Sequence, residues 1–142
     1  MKIVIINGPN LNLLGTREVD IYGNESFESF FEKIKNDFPS IQFEYFQSNI
    51  EGEIINAIQQ FGFEFNGIVL NPAGYSHTSV AIGDAIAAIK CPVVEVHISN
   101  IFARENFRKL SHVTAKAVGC IAGLGLHGYE MAIEYLIKSS NK

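Results

Sequence analysis

Short apolar runs alternate with amphipathic stretches along the whole chain. The apolar runs are rich in β-branched residues and are typical of buried strands: residues 2–7, 41–46, 67–71, 92–98 and 117–122. The amphipathic stretches repeat apolar residues at helical spacing, and one helical face is formed by Phe27, Phe30, Phe31, Ile34 and Phe38. A capping box that pairs Ser48 with Glu51 predicts the start of a second helix, and two more helices are predicted over residues 80–89 and 126–137.

Strands and helices alternate from end to end, and the strands are apolar on both faces, which predicts a parallel sheet covered by helices on both sides. Five strands are too few for a β/α barrel. They suit a flavodoxin-like, doubly wound sheet with strand order 2-1-3-4-5 and three α/β/α layers. Because no repeat, linker or low-complexity segment interrupts the sequence, we expect a single domain over residues 1–142.

Composition narrows the class of protein. Hydrophobic residues make up 47% and charged residues 18%, and the net charge is -4, which argues against disorder and against nucleic acid or an anionic membrane as the main partner. No secretory signal is visible, and the longest charge-free stretch, residues 65–83, is too polar to span a bilayer. We interpret Cys91 and Cys120 as reduced core thiols rather than a disulfide. Together these features predict a cytoplasmic protein.

Polar residues gather where the first, third and fourth predicted strands end. The sequences that follow these strands are Asn7-Gly-Pro-Asn10, Asn71-Pro-Ala-Gly74 and His97-Ile-Ser-Asn100. In the order 2-1-3-4-5 these three strands are neighbours, and ligands of such sheets bind outside the carboxyl ends of the strands. The sequence therefore predicts a site for a small polar ligand at this edge.

The three arginines Arg17, Arg104 and Arg108 fall in or beside the loops that follow the first and fourth strands. Planar guanidinium groups suit an anionic substrate, although three unrelated surface arginines would give the same pattern. Residues 8–24 form a loop long enough to act as a lid, and it carries Tyr22 beside Arg17. A free phenol is a poor base at neutral pH, but a guanidinium about 4 Å away stabilises a phenolate by roughly 4 kcal/mol. Tyr22 is thus either a base or a ring that packs under the loop.

His97 ends the fourth strand, and Glu95, two residues earlier, points to the same side of the sheet. A carboxylate in an apolar strand is costly unless it is paired. Glu95 is therefore predicted to orient or charge the imidazole of a catalytic His97, and the alternative is a buried histidine paired for structural reasons. His77 follows the third strand, where it could donate to ligand hydroxyls or cap the next helix.

Metal and cofactor chemistry are not favoured by the sequence. The histidines are not at ligand spacing and the cysteines are unpaired, so neither a metal nor another cofactor is predicted. No lysine ends a predicted strand, which leaves a Schiff base unsupported. Residues 123–128 match G-x-G-x-x-G, but a dinucleotide site needs a further strand and an acidic residue downstream, and the sequence stops at Lys142. We interpret these glycines as a close strand–helix turn.

Two other functions share the predicted fold. A flavin- or nucleotide-binding module needs a phosphate loop after the first strand, and the sequence there has one glycine among Asn and Pro. A receiver-type signalling domain needs acidic residues at the first and third strand ends, where this chain has Asn7 and Asn71. A bound flavin would be visible as colour in the purified protein.

In its motifs the chain resembles the type II 3-dehydroquinate dehydratases. The resemblance covers nearly the whole chain, in order, through residues 6–15, 17–18, 21–23, 70–81 with Asp84, 94–100, 104–108 and 123–130. The chain departs from the family pattern at Val19, Gly74, Gly83 and Phe102.

The resemblance implies a hydro-lyase that converts 3-dehydroquinate to 3-dehydroshikimate by anti elimination through an enolate, without metal or imine. This reaction belongs to the shikimate pathway, which leads to chorismate and the aromatic amino acids. The resemblance further implies that Tyr22 is the base for the C2 proton, that Arg17 on the lid stabilises its phenolate, and that Asn10 lies near an ordered water. It implies that His97, with Glu95 behind it, protonates the leaving C1 hydroxyl. The substrate-binding positions implied are Asn71, His77, Asp84, Arg108 and the backbone amides of Ile98 and Ser99.

The resemblance also implies an assembly. Members of the family form dodecamers built from trimers, and Asp84 resembles the residue that reaches the site of an adjacent subunit. The predicted helix over residues 80–89 is apolar nearly all round, so a second surface should cover the face that the sheet does not. We expect a large homo-oligomer that binds the small molecule 3-dehydroquinate and has neither nucleic acid nor membrane as a partner.

Overall fold

The computed structural model describes residues 1–16 and 18–142. The strands are β1 (Lys2–Asn7), β2 (Gln42–Gln47), β3 (Gly67–Asn71), β4 (Val93–His97) and β5 (Gly119–Ala122). The helices are α1 (Val19–Tyr22), α2 (Phe27–Asp37), α3 (Glu51–Glu64), α4 (Val80–Ala88) and α5 (His127–Ser140). Short 3-10 turns cover Leu11–Leu13, Ala73–His77, Ile101–Ala103 and Asn106–Lys109.

The strands form one parallel sheet with the order β2-β1-β3-β4-β5. Strand β1 is paired on both sides, so that Ile5 lies opposite Tyr45 of β2 and Val69 of β3. This arrangement confirms the predicted doubly wound, flavodoxin-like sheet. It also places the carboxyl ends of β1, β3 and β4 side by side.

Each face of the sheet has its own core, because successive residues of a strand point to opposite faces. Ile3 and Ile5 pack on one side with residues of α2 and α5, whereas Val4 and Ile6 pack on the other side with residues of α3 and α4. All four side chains are fully buried. The three-layer α/β/α architecture predicted from the sequence is therefore confirmed.

Two local predictions were wrong. The capping box was placed two residues too early, since α3 begins at Glu51 and Ser48 instead accepts a hydrogen bond from the Ile50 amide and donates to Glu53. Cys120 was expected in the core, yet it is exposed, because β5 is the edge strand of the sheet. Cys91 is half-buried, and both thiols are free.

Glycines allow one close packing contact and one tight turn in the fold. Gly83 of α4 packs against the loop after β4: a Cβ atom at this position would lie 2.3 Å from the His112 carbonyl oxygen. Gly123 and Gly125 have φ angles of 89° and 61°, in the region that favours glycine. They form the tight turn from β5 into α5, as predicted for the G-x-G-x-x-G segment.

The outer face of α4 carries exposed apolar and charged side chains, including Val80 (58% exposed) and Asp84. Within the described part of the chain, none of the helices has the length and apolar character that crossing a membrane requires.

Candidate active site

A cavity of about 120 Å³ opens at the carboxyl edge of the sheet, where the sequence predicted a ligand site. Three loops and the segment around α1 contribute to it. The predicted site residues that line it are Asn10, Tyr22, Asn71, His77, His97, Ile98, Ser99 and Arg108. Its walls are completed by Pro9, Leu11, Ala73, Gly74, Ile101 and Arg104.

Two further predicted residues, Glu95 and Asp84, do not line the cavity. Glu95 lies behind His97 and is fully buried. Asp84 lies on the exposed face of α4 and is not among the residues that line the cavity. Arg17 lies outside the described residues, so its predicted role stays a prediction.

The side chains of Glu95 and His97 form a buried, hydrogen-bonded pair at the end of β4. Nε2 of His97 lies 2.7 Å from Oε1 of Glu95, and the two residues are 4% and 0% exposed. The i, i+2 spacing along a strand puts both side chains on the same face of the sheet. Since Nε2 donates to the carboxylate, Nδ1 is the ring nitrogen left for a ligand.

Three hydroxyl groups also donate hydrogen bonds to the Glu95 carboxylate. Ser76 donates to Oε1 over 2.6 Å and Ser111 over 3.3 Å, and Thr114 donates to Oε2. Burial raises the pKa of Glu95, but the hydrogen bonds from His97, Ser76 and Thr114 outweigh it and hold the pKa below its usual range. Glu95 is therefore a carboxylate at neutral pH.

His77 faces the cavity beside His97. The two rings are nearly parallel, with their centroids 6.0 Å apart. Nδ1 of His77 donates to the Leu110 carbonyl oxygen over 2.7 Å, which leaves Nε2 as an acceptor. Burial lowers the pKa of His77, which favours the neutral form of this ring. The next helix is capped by Ser79, which accepts from the Ile82 amide, so the capping role considered for His77 was wrong.

Tyr22 ends the short helix α1, and its hydroxyl group faces the guanidinium group of Arg104. Nη1 of Arg104 donates to the Tyr22 hydroxyl over 3.0 Å and to the Ser99 hydroxyl over 3.1 Å. Arg104 thereby ties the phenol to the loop after β4. The Tyr22 ring is half-buried and packs against the core, and its role as a base stays a prediction.

Arg104 is the functional residue to which the sequence reasoning gave no individual role. Its position in the sequence indicated a role, because Arg104 follows a strand that ends in the site. Its partner Tyr22 lies 82 residues away in sequence. The pairing therefore depends on how the two loops meet in the fold.

Arg108 lines the same cavity and is anchored by its neighbour. Nε of Arg108 lies 2.7 Å from Oε2 of Glu105, and the side chain is 21% exposed. The other nitrogens of the guanidinium group remain available for an anionic or hydroxyl-bearing ligand.

Asn71 is held by a buried polar network at the ends of β1 and β3. Its Nδ2 donates to the Tyr129 hydroxyl over 2.8 Å, and that hydroxyl donates to Oδ1 of Asn7 over 2.8 Å. Oδ1 of Asn71 accepts from the Ala73 amide. An amide nitrogen carries two hydrogens, so the second N–H of Asn71 can serve a ligand.

Two residues of the cavity have strained backbones. Asn10 and Ala73 have φ angles of 69° and 52°, which are uncommon for residues with a side chain. Strain of this kind gathers at functional sites, where the surrounding structure holds it in place.

The family model for class II dehydroquinases matches residues 1–137.

The chain belongs to the class II dehydroquinase family.

Curated relatives named 3-dehydroquinate dehydratase match the chain over nearly its whole length. The chain is 53% identical to the 3-dehydroquinate dehydratase of Fusobacterium nucleatum, with 100% of both chains covered. It is 51% identical to that of Clostridium botulinum, with 97% of this chain and 95% of the relative covered.

Solved dehydroquinase structures share the fold. The type II dehydroquinase of Butyrivibrio crossotus is 49% identical with a TM-score of 0.92, and the alignment covers 96% of this chain and 97% of that one. The dehydroquinase-like protein of Bifidobacterium longum is more distant, with 26% identity and a TM-score of 0.73 over 100% of this chain and 99% of that one. The chain is therefore an enzyme of the dehydroquinase type.

Proposed function

We propose that this enzyme dehydrates 3-dehydroquinate to 3-dehydroshikimate, with Tyr22 as the base and His97 as the acid. The observation that carries the proposal is that both side chains line one cavity, each with a charged partner. Tyr22 has the guanidinium of Arg104 at 3.0 Å, and His97 has the carboxylate of Glu95 at 2.7 Å. A cationic partner stabilises the phenolate and an anionic partner stabilises the imidazolium, as an elimination with a base and an acid requires.

In the first step the phenolate of Tyr22 removes a proton from C2, next to the C3 ketone of the substrate. The electron pair of the C–H bond moves to the carbonyl group and forms an enolate. Arg104 stabilises the phenolate before this transfer, and we assign the same task to Arg17. Asn10 positions a water molecule near the enolate oxygen, in keeping with its place on the cavity wall.

In the second step the imidazolium of His97 gives the proton on Nδ1 to the C1 hydroxyl group. The hydroxyl leaves as water, and the enolate collapses to the double bond between C1 and C2. Glu95 keeps the imidazole oriented and stabilises its charge before the transfer. His77, which stays neutral, adds no competing positive charge beside it.

The remaining lining residues bind the substrate. The ring hydroxyl groups are held by Asn71, His77 and Arg108. The backbone amides of Ile98 and Ser99 bind the carboxylate of the substrate. These two residues follow the end of β4, at the edge of the sheet where ligands of this fold bind. Metal and imine chemistry have no part in the proposed mechanism.

The decisive experiment adds 3-dehydroquinate to the purified enzyme and follows the ultraviolet band of the conjugated product. Tyr22→Phe removes only the hydroxyl group, so turnover should be nearly abolished while substrate binding, measured by calorimetry, survives. Tyr135→Phe is a matched control, because Tyr135 is 49% exposed on α5 and does not line the cavity. Full turnover by the Tyr22→Phe enzyme would refute the base assignment.

We further propose that the whole chain, residues 1–142, acts as one catalytic domain in the cytoplasm, within the shikimate pathway, and as a dodecamer of trimers. The exposed apolar face of α4 supports assembly, since such a face is stabilised when another subunit covers it. Asp84 on that face would then reach the site of a neighbouring subunit. Elution as a monomer in size-exclusion chromatography with light scattering would contradict the assembly.

A further inference from the structure

Cys120 brings a thiol to the back of the catalytic pair. It lies on the edge strand β5, directly opposite Glu95 in the pairing of β4 with β5. Its side chain lines a second cavity of about 690 Å³, whose wall also includes two of the hydroxyl groups that hold Glu95, those of Ser111 and Thr114. Glu95 itself is fully buried behind these hydroxyl groups.

Three metal-ligating groups meet at this point. Glu95, His97 and Cys120 each offer one donor atom, and all three atoms lie within 4.8 Å of one another. An oxygen, a nitrogen and a sulfur donor together form a ligand set that suits zinc and other thiophilic divalent cations. The spacing of these residues along the chain does not indicate a metal site, because β4 and β5 bring the three donors together only in the fold.

We propose that Glu95, His97 and Cys120 form an inhibitory site for a thiophilic divalent cation such as Zn²⁺ or Cd²⁺. In a tetrahedral zinc site the bond lengths of about 2.0–2.3 Å place ligand atoms about 3.5 Å apart. The three donors are already within 4.8 Å, and Cys120 is exposed, so rotation of its side chain can close the remaining gap. Water from the second cavity occupies the fourth position.

Binding of the cation replaces the proton between Glu95 and His97. Starting from the imidazolium that the proposed mechanism uses, Nε2 of His97 and the thiol of Cys120 each release one proton to solvent, and Nδ1 keeps its proton.

The inhibition rests on the proposed function, because it follows from the role of His97 as the acid. A cation on Nε2 leaves the ring with a single proton, on Nδ1, and without the surplus proton of an imidazolium. It also withdraws Glu95 from the ring. The cation does not occupy the substrate cavity, so we expect kcat to fall while KM changes little.

The first test measures binding without substrate. Titration of the enzyme with Cd²⁺ should produce the ultraviolet charge-transfer band of a cadmium–thiolate bond. The band should be absent in Cys120→Val, a substitution that suits a strand, and retained in Cys91→Ala, which removes the half-buried thiol elsewhere. Absence of the band in the wild type, or its persistence in Cys120→Val, would overturn the proposal.

The second test measures inhibition by Zn²⁺ in the dehydration assay. Zn²⁺ should lower kcat reversibly, with recovery after EDTA, and Cys120→Val should raise the half-inhibitory concentration by at least about tenfold. Equal sensitivity of the wild type and Cys120→Val would refute the inhibitory role. The two proposals fail separately: a chain without dehydratase activity could still show the cadmium–thiolate band, whereas an active enzyme without the band would refute the metal site alone.

Discussion

The carboxylate of Glu95 provides the sharpest test of the proposed acid. Glu95→Gln keeps the size of the side chain and removes its negative charge. In the wild type this carboxylate is fully buried and lies 2.7 Å from Nε2 of His97. The substitution therefore leaves the imidazolium without its counter-ion in a site from which water is excluded.

The expected magnitude follows from this contact. A hydrogen bond to a charged group contributes about 1.5–3 kcal/mol, and the imidazolium state is the one that loses it. At about 1.4 kcal/mol per factor of ten, kcat should fall by about 10- to 150-fold. KM should change little, because Glu95 does not line the substrate cavity.

The assay compares kcat of Glu95→Gln with that of Glu44→Gln, the same chemical change at an exposed position of β2. Glu44→Gln should match the wild type. A kcat for Glu95→Gln within about twofold of the wild type would correspond to less than about 0.5 kcal/mol and would refute the proposed role of the carboxylate.

The same variant gives a prediction about stability and pH. Because the pKa of folded Glu95 lies below its ordinary value of 4.5, its ionisation stabilises the folded state above that value. This contribution is lost as the pH falls from 4.5 through the folded pKa. The free energy of unfolding should therefore decline more steeply on acidification below pH 4.5 in the wild type than in Glu95→Gln, as measured by urea denaturation. Parallel declines would contradict the hydrogen-bonded, ionised state.

Three more substitutions test other parts of the site. Arg104→Met should lower kcat by about 10- to 150-fold, because it removes a charge-assisted bond to the Tyr22 hydroxyl; an unchanged kcat in the dehydration assay would exclude this role. Tyr129→Phe should destabilise the fold by about 1–3 kcal/mol in urea denaturation, since two buried amide groups lose their partner, and it should also raise KM. Gly83→Ala should lower the melting temperature although alanine favours helices, because its Cβ would meet the His112 carbonyl oxygen; a higher melting temperature would contradict this packing.

The sequence predicted the place of the site because polar residues after β1, β3 and β4 have few structural uses. Asn71 and His97 end strands whose other residues are buried and, apart from Glu95, apolar, and parallel strands bring such ends to one edge. The pairing of Glu95 with His97 was also predictable, since residues two apart on a strand share a face.

Other features depend on contacts between distant segments. Ser111 and Thr114 reach Glu95 from a loop that has no recognisable pattern. Arg104 meets Tyr22 only because two loops converge over the cavity. The exposure of Cys120 follows from the position of β5 at the edge of the sheet, which an apolar run cannot distinguish from a central position.

The two halves of the cavity are anchored very differently. His97 belongs to a strand that is paired on both sides, whereas Tyr22 ends a four-residue helix that contains no buried residue. Compounds that engage the strand ends should inhibit relatives of this enzyme with similar potency. Compounds that reach over to α1 should meet a less firmly held surface, because no residue of that helix is buried. The design of inhibitors for this cavity would therefore start from the strand ends.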